Sequence, residues 1–403
     1  MKLNNYLASI LLILFLNACG ANSSKTPGPP AQKVTCPTGD NVMKVTINGS
    51  LCGTTQYPNE PCTSVTVCSA TDPSNCQTIT DILVDTGSYG LRVFRSALTV
   101  PVTPSKVGTQ DLFECAQFGD GTSLWGQVET AWVKLGNEPP VSTPIMVIDP
   151  IAPSTSNCPK VGTDPKTSGF HGILGVGLFK QDCGSACSRS NNFPKQYFAC
   201  TGSSCLATAV SLTSQIQNPV ALLPKDNNGV ILQFPSVDSG GAKSVDGCLI
   251  LGIGAISSTA TVYPVDNNGN MTTVFAAYSS KSMHGYIDSG SNGLYFPAPA
   301  DGSLPACKSN LSQFYCPAAI QFLQATNADT SRNAIAVPFQ VGNAETLSQS
   351  DNIVFSNFCG QAIVTSSSGA YFDWGLPFFL GRTIYVGIED TTSSLGTGPY
   401  WAY

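Results

Sequence analysis

The sequence is short of charge. Asp, Glu, Lys and Arg make up only 11% of its 403 residues, against roughly 25% in an average soluble domain. The surface must then be rich in Ser, Thr, Asn and Gln, as in many secreted β proteins. The formal net charge is −6 and no basic run is long, which excludes a nucleic-acid partner. Histidine is nearly absent, with two residues. With so few imidazoles and irregular cysteine spacings, no metal site and no cofactor are expected. Sustained helical periodicity is missing, and so is any apolar run long enough to span a bilayer. Gly and Pro number 38 and 28 but follow no period, which excludes collagen-like and disordered chains.

What the chain does have is length and short β-rich runs. Its 403 residues, 42% of them hydrophobic, suffice for one large or two medium cores. Segments such as "VMKVTING", "SVTVCSA", "TAWVKLG" and "GVILQFP" read as strands. "DNNGV" and "DNNGN" read as turns. "PAAIQFLQATNA" and the stretch near "TAVSLTSQIQ" are the expected short helices. The fold class that follows is all-β and mainly antiparallel, with few short helices.

The N-terminus reads as a targeting segment. Lys2 precedes the run "YLASILLILFLNAC", which suits a secretory signal. Leu16-Asn17-Ala18-Cys19 resembles a bacterial lipobox, which implies a lipidated Cys19 as the first mature residue. An ordinary signal peptide cleaved near Ala18 is the alternative. "GANSSKTPGPPAQ" then reads as a flexible tether. Gly20 after the lipidated Cys resembles sorting to the outer membrane. The expected division is residues 1–18 signal peptide and 19–38 tether. Residues 39–234 form an N-terminal β lobe, 235–247 a linker, and 248–403 a C-terminal β lobe. The tether is too short for a long inhibitory propeptide, and a monomer held to the membrane by its lipid is expected.

Sixteen cysteines fit export to an oxidising compartment. Without Cys19 an odd number remains, so at least one stays free or pairs between chains. Cys68 with Cys76, and Cys307 with Cys316, are close enough to staple loops. Cys183, Cys187, Cys200 and Cys205 form a further group, and Cys115 with Cys158 is a longer-range candidate. Connectivity beyond this stays open.

The chain carries one short segment twice. "DTGSYGL", from Asp85, recurs as "DSGSNGL", from Asp288, each after an apolar strand. A lone Asp-Thr-Gly is ordinarily a turn. Two copies with matching flanks point instead to two similar lobes, each giving one carboxylate to a shared site. Each half also has an apolar-apolar-Gly segment downstream: Ile173-Leu174-Gly175, and Phe379-Leu380-Gly381. Two carboxyls in contact cannot both ionise and share one proton. One then acts as base on a water while the other acts as acid toward a peptide carbonyl. Gly87 and Gly290 let the turn amides approach the carboxylates. Thr86 and Ser289 can bond across to the opposite loop. Ser88 and Ser291 can donate to the outer carboxylate oxygens.

These motifs, with "GILGVG", "FFLGR" and "QFGDGTSLWGQVETAWVKLG", resemble the bilobal pepsin-like aspartic proteases, here in a bacterial lipoprotein form. The resemblance orders most of residues 78 to 403. It implies two β lobes related by a pseudo-twofold axis, a cleft between them and a hairpin flap over it. It also implies an extended polypeptide substrate. Phe118, Gly119, Asp120 and Gly121 fall at the flap. Phe118 stands where the family usually has Tyr, and Arg92 where it usually has Trp. That pair cannot form the family's hydrogen bond. A cation–π contact between them is conceivable, and Trp125 is a candidate substitute at the cleft. The rival reading is a pepsin-like binding or inhibitor protein, favoured by the altered flap and opposed by the two intact Asp residues. Glycoside hydrolysis needs carboxylates set well apart, which the symmetric pair disfavours. His171 is expected to be structural, and His284 to sit on a strand beside the core. "GPYWAY" is expected to pack at a sheet edge.

Overall fold

Strand Val42–Ile47 alternates outward and inward side chains. Met43, Val45 and Ile47 are buried, the period-two pattern of a strand with one face on a core. The same logic recurs along the chain. The computed structural model describes residues 34–47, 57–119, 121–150, 158, 161–162, 164–189, 195–254, 260–308, 310–362 and 369–403. Cys19 and Asp120 lie outside them. Among the described residues no helix is long and apolar enough to cross a membrane.

The protein is all-β, with short helices only among the described residues, and it has the bilobal architecture expected. Among the described residues, seventeen strands join in one sheet and seven in a second, with a small two-stranded hairpin besides. The second sheet is drawn from residues 271–374. The first also takes five strands from later in the chain, Gly229–Gln233, Val245–Leu251, Val262–Pro264, Thr383–Gly387 and Tyr400–Ala402. Val42–Ile47 runs antiparallel to Val245–Leu251, and Cys36 is disulfide-bonded to Cys248. The two ends of the sequence are thus tied into one sheet. Residues 235–244 join Gly229–Gln233 to Val245–Leu251, so the last three positions of the expected linker are strand.

The four strand segments read from the sequence form as strands. Two local expectations fail. Residues 317–328 are not a helix, because Gln321–Ala328 pairs along its whole length with Ala334–Val341. Phe322 and Gln324 point outward while Ala325 and Asn327 are buried, and the Asp329 side chain caps the connecting turn at Ser331 and Asn333. Tertiary pairing outweighs the local helix preference there. Near 208–217 only a single 3-10 turn forms, at Leu212–Ser214. The C-terminal strand Tyr400–Ala402 is not an edge, since it lies between Thr383–Gly387 and Val262–Pro264.

Cys68–Cys76, Cys115–Cys158 and Cys307–Cys316 are bonded as expected. The group of four resolves into Cys183–Cys187 and Cys200–Cys205. Among the described residues Cys359 is the free cysteine, and it is buried. Glu345 approaches Cys307 and Cys316, but their bond leaves no thiolate to hold a metal.

Candidate active site

Each half of the molecule builds one small three-strand unit. In the first, Gly172–Val176 lies between Cys76–Asp85, to which it is parallel, and Tyr89–Phe94, to which it is antiparallel. In the second, Tyr371–Trp374 lies between Ser282–Ile287, parallel, and Leu294–Phe296, antiparallel. The registers superpose. Leu174 pairs with Val84 and Leu91, as Trp374 pairs with Ile287 and Leu294. The recurring apolar-Gly element of the second half is therefore Trp374-Gly375, and not Phe379-Leu380-Gly381. The latter sequence belongs to the short helix Leu376–Phe379 and the turn after it.

Each unit ends its first strand at an Asp, and the two loops interlock. Thr86 Oγ1 donates to Ile287 O (2.8 Å) and accepts from Ser289 N (2.9 Å). Ser289 Oγ donates to Val84 O (2.7 Å) and accepts from Thr86 N (3.1 Å). All four bonds are buried, and each has a twofold mate. Gly87 N donates to Asp85 Oδ1 and Gly290 N to Asp288 Oδ1, both at 2.8 Å. Ser88 Oγ donates to Asp85 Oδ2, and Ser291 Oγ approaches Asp288 Oδ2 at 3.0 Å.

Close approach explains the two glycines. A Cβ on Gly87 would lie 2.7 Å from the Asp288 carboxyl carbon, and one on Gly290 would lie 2.7 Å from Asp85 Oδ1. Neither glycine takes a positive φ. The requirement is room for the opposite carboxyl and not turn handedness. Gly87 is exposed, and Ser88, Asp288, Gly290 and Ser291 are partly exposed, so this side of the pair is open to solvent.

The carboxyls of Asp85 and Asp288 come together at the axis, since a Cβ placed on Gly290 would lie 2.7 Å from Asp85 Oδ1 and 3.2 Å from Asp288 Oδ1. Burial of its carboxyl, the Asp85 charge and the Asp373 charge push Asp288 well above the usual carboxylate range. Of the pair, Asp288 is the carboxyl whose surroundings favour its protonated form. A water held between them has a base on one side and an acid on the other.

Asp373 was not legible as a site residue. It is 4% exposed, in the middle strand of the second unit, and its Oδ2 lies 2.6 Å from Ser291 Oγ. Tyr295 pairs with Asp373 as Arg92 pairs with Ile173, so the first unit has an isoleucine at the matching place.

Two residues expected at the cleft are buried elsewhere. Arg92 makes no cation–π contact with Phe118. Its Nη2 donates to Glu114 Oε1 (2.7 Å) and Asp182 Oδ2 (2.9 Å). Gln196 donates to the same two carboxyls, and Tyr197 OH donates to Asp182 Oδ1. Burial and the nearby Glu114 charge push Asp182 well up. For Glu114, burial pushes upward, but Arg92 and its hydrogen bonds outweigh it and hold the carboxyl low. One cation, one anion and one neutral acid make a set with no net charge, which is what burial demands. Trp125 stacks on Phe113 and meets Phe198 edge-on, beside the Cys115–Cys158 disulfide. It belongs to that buried cluster and does not substitute at the cleft. Phe118 is half-buried against a cluster that includes Leu83 and Ile173, and Gly121 N donates to Phe118 O in the turn of its hairpin. His171 Nδ1 donates to Thr80 O, and His284 is exposed on its strand, near Asp266.

Residues 37–403 match the family described as "Protein of unknown function (DUF3443)". Among solved structures, the chain is similar to the crystal structure of aspartic proteinase from Irpex lacteus. The TM-score is 0.50 at 14% identity, over 90% of this chain and 96% of that one. At this identity the likeness shows the fold alone. No curated protein matches the chain.

Proposed function

We propose that the chain, which belongs to the DUF3443 family, is an aspartic endopeptidase. One observation carries the reading: two carboxyls from twofold-related loops come together at the axis, each with a glycine amide on one oxygen and a serine hydroxyl on the other. Asp85 is the base that takes a proton from the bound water. Asp288 is the acid that hydrogen-bonds the scissile carbonyl. The tetrahedral intermediate collapses once the leaving nitrogen receives a proton. The reaction so written uses water and the two carboxyls alone, and its substrate is an extended polypeptide. We further propose export as a lipoprotein, anchored through Cys19 with residues 19–38 as tether.

The buried Arg92 set and Phe118 at the flap favour a second reading, a pepsin-like binding protein, because the usual flap contact is replaced. Digestion of a diverse peptide mixture from about pH 3 to about pH 7, with Asp85→Asn and Asp288→Asn alongside, separates the two. Cleavage by the parent chain and by neither variant supports the endopeptidase. Folded protein that cleaves nothing leaves the binding protein.

A further inference from the structure

The second half-site has a group that the first lacks. Asp373, on the middle strand Tyr371–Trp374, reaches the same Ser291 hydroxyl as Asp288. Its Oδ1 is buried with no hydrogen-bond partner, and its Oδ2 reaches only the Ser291 hydroxyl. That hydroxyl lies 2.6 Å from Asp373 and 3.0 Å from Asp288. A serine hydroxyl has one proton to give. It cannot donate to both carboxyls, so one of them donates to it.

We propose that Asp373 is a positioning residue that holds a second proton for the pair of Asp85 and Asp288 and exchanges it with Asp288 through Ser291. In one arrangement Asp373 Oδ2–H donates to Ser291, and Ser291 donates to an anionic Asp288. In the other, Asp288 donates to Ser291, and Ser291 donates to an anionic Asp373. The step between them balances. The O–H bond on Asp373 breaks as one forms on Ser291, while the old Ser291 O–H breaks as one forms on Asp288. The negative charge moves from Asp288 to Asp373, and no other reactant takes part.

The surroundings suit a stored proton. Tyr286 pairs with Asp373 from one neighbouring strand and Tyr295 from the other, with Tyr371 beside them. The charged groups acting on it are Asp85 and Asp288. Among the described residues no Lys, Arg or His forms an ion pair with Asp85, Asp288 or Asp373. With no cation to favour its anion, burial holds the Asp373 carboxyl well above the usual range. The role in turnover rests on the endopeptidase reading. Asp288 is resupplied from beneath after giving up its proton, and an ionised Asp373 keeps a proton on Asp288 to higher pH.

The test is the pH profile of kcat/KM for the disulfide-bonded protein. Asp373→Asn keeps the shape and a donor to Ser291 but cannot exchange a proton. It should move the alkaline limb down by about one pH unit. Asp373→Ile, which copies the first half-site, should move it the same way. Ser291→Ala should shift the limb, and Ser291→Thr, which keeps the hydroxyl, should restore it. A limb that stays in place in both Asp373 variants overturns the relay. Infrared titration of protonated carboxyl bands gives a readout free of activity. The parent chain should lose one more buried band than Asp373→Asn, and equal numbers overturn the relay. A parent chain that shows the extra band but cleaves no peptide supports the relay and defeats the endopeptidase reading.

Discussion

At Asp85 and at Asp288 the nearest atoms are the same: a glycine amide on one carboxyl oxygen and a serine hydroxyl on the other. One layer back the two half-sites part. Behind Ser291 stands Asp373, where the first half-site has Ile173. Beside that place stands Arg92 in the first half and Tyr295 in the second. Arg92 donates to two buried carboxyls, whereas the Tyr295 hydroxyl donates to the neutral amide oxygen of Asn292. At the axis neither Gly87 nor Gly290 can carry a side chain, because a single added Cβ would strike the opposite carboxyl. The next layer packs within its own lobe and is free to diverge. The comparison locates the chemistry at the axis and the tuning behind it.

The severest way to break the comparison is at the axis itself. Asp85→Asn and Asp288→Asn should each lower peptidase activity by about a thousandfold, measured as kcat/KM on the best peptide found. A large loss in one variant and none in the other would falsify the twofold site. The second layer should respond unequally. Arg92→Met leaves Glu114 and Asp182 buried without their cation, and should cost about 3–5 kcal/mol in denaturant unfolding. Tyr295→Phe removes one hydrogen bond and should cost about 1 kcal/mol. Equal costs would mean that the layers behind the axis are more alike than their contacts suggest.

The interlock should respond equally. Thr86→Ala and Ser289→Ala each delete a buried hydroxyl that donates once and accepts once, so each should cost about 2 kcal/mol. A cost confined to one of them would show that the two loops do not share the load. The smallest effect is in the pH dependence of stability. Asp288 and Asp373 bind protons more tightly folded than unfolded. Their contribution is therefore complete below the ordinary carboxylate range and is lost as pH rises toward their raised values. Each proton contributes a slope of up to about 1.4 kcal/mol per pH unit. Asp373→Asn should make the unfolding midpoint less sensitive to pH above that range. Ile173→Val, its mate, should leave the sensitivity unchanged. An identical slope in Asp373→Asn would mean that Asp373 is not protonated in the folded state.

Much of this protein was legible from residues alone, for a reason particular to it. A site made by repetition prints its signal twice, so Asp85, Asp288 and their Thr, Ser and Gly neighbours stand out. Period-two alternation in short runs bounded by turns likewise declares strands, as at Val42–Ile47. The places where reading failed are those where partners are distant in sequence. "FDWG" and "FFLG" look alike, and only strand register assigns the first to the unit beside Asp288. Nothing near Gln321–Ala328 announces its partner strand. Glu114 and Asp182 lie 22 and 90 residues from Arg92, so its position invited a contact with Phe118 that the fold replaces with hydrogen bonds to these two buried carboxyls.

The sequence by itself determined that the chain is a two-lobed β protein with one carboxyl from each lobe, because the repeat and the local side-chain pattern need no long-range partner to be read. Tertiary structure alone decided that Asp373 stands behind Ser291 and Ile173 takes the matching place. A lone Asp in an apolar strand acquires its meaning from what burial sets against it, and here that is a serine hydroxyl 82 residues away.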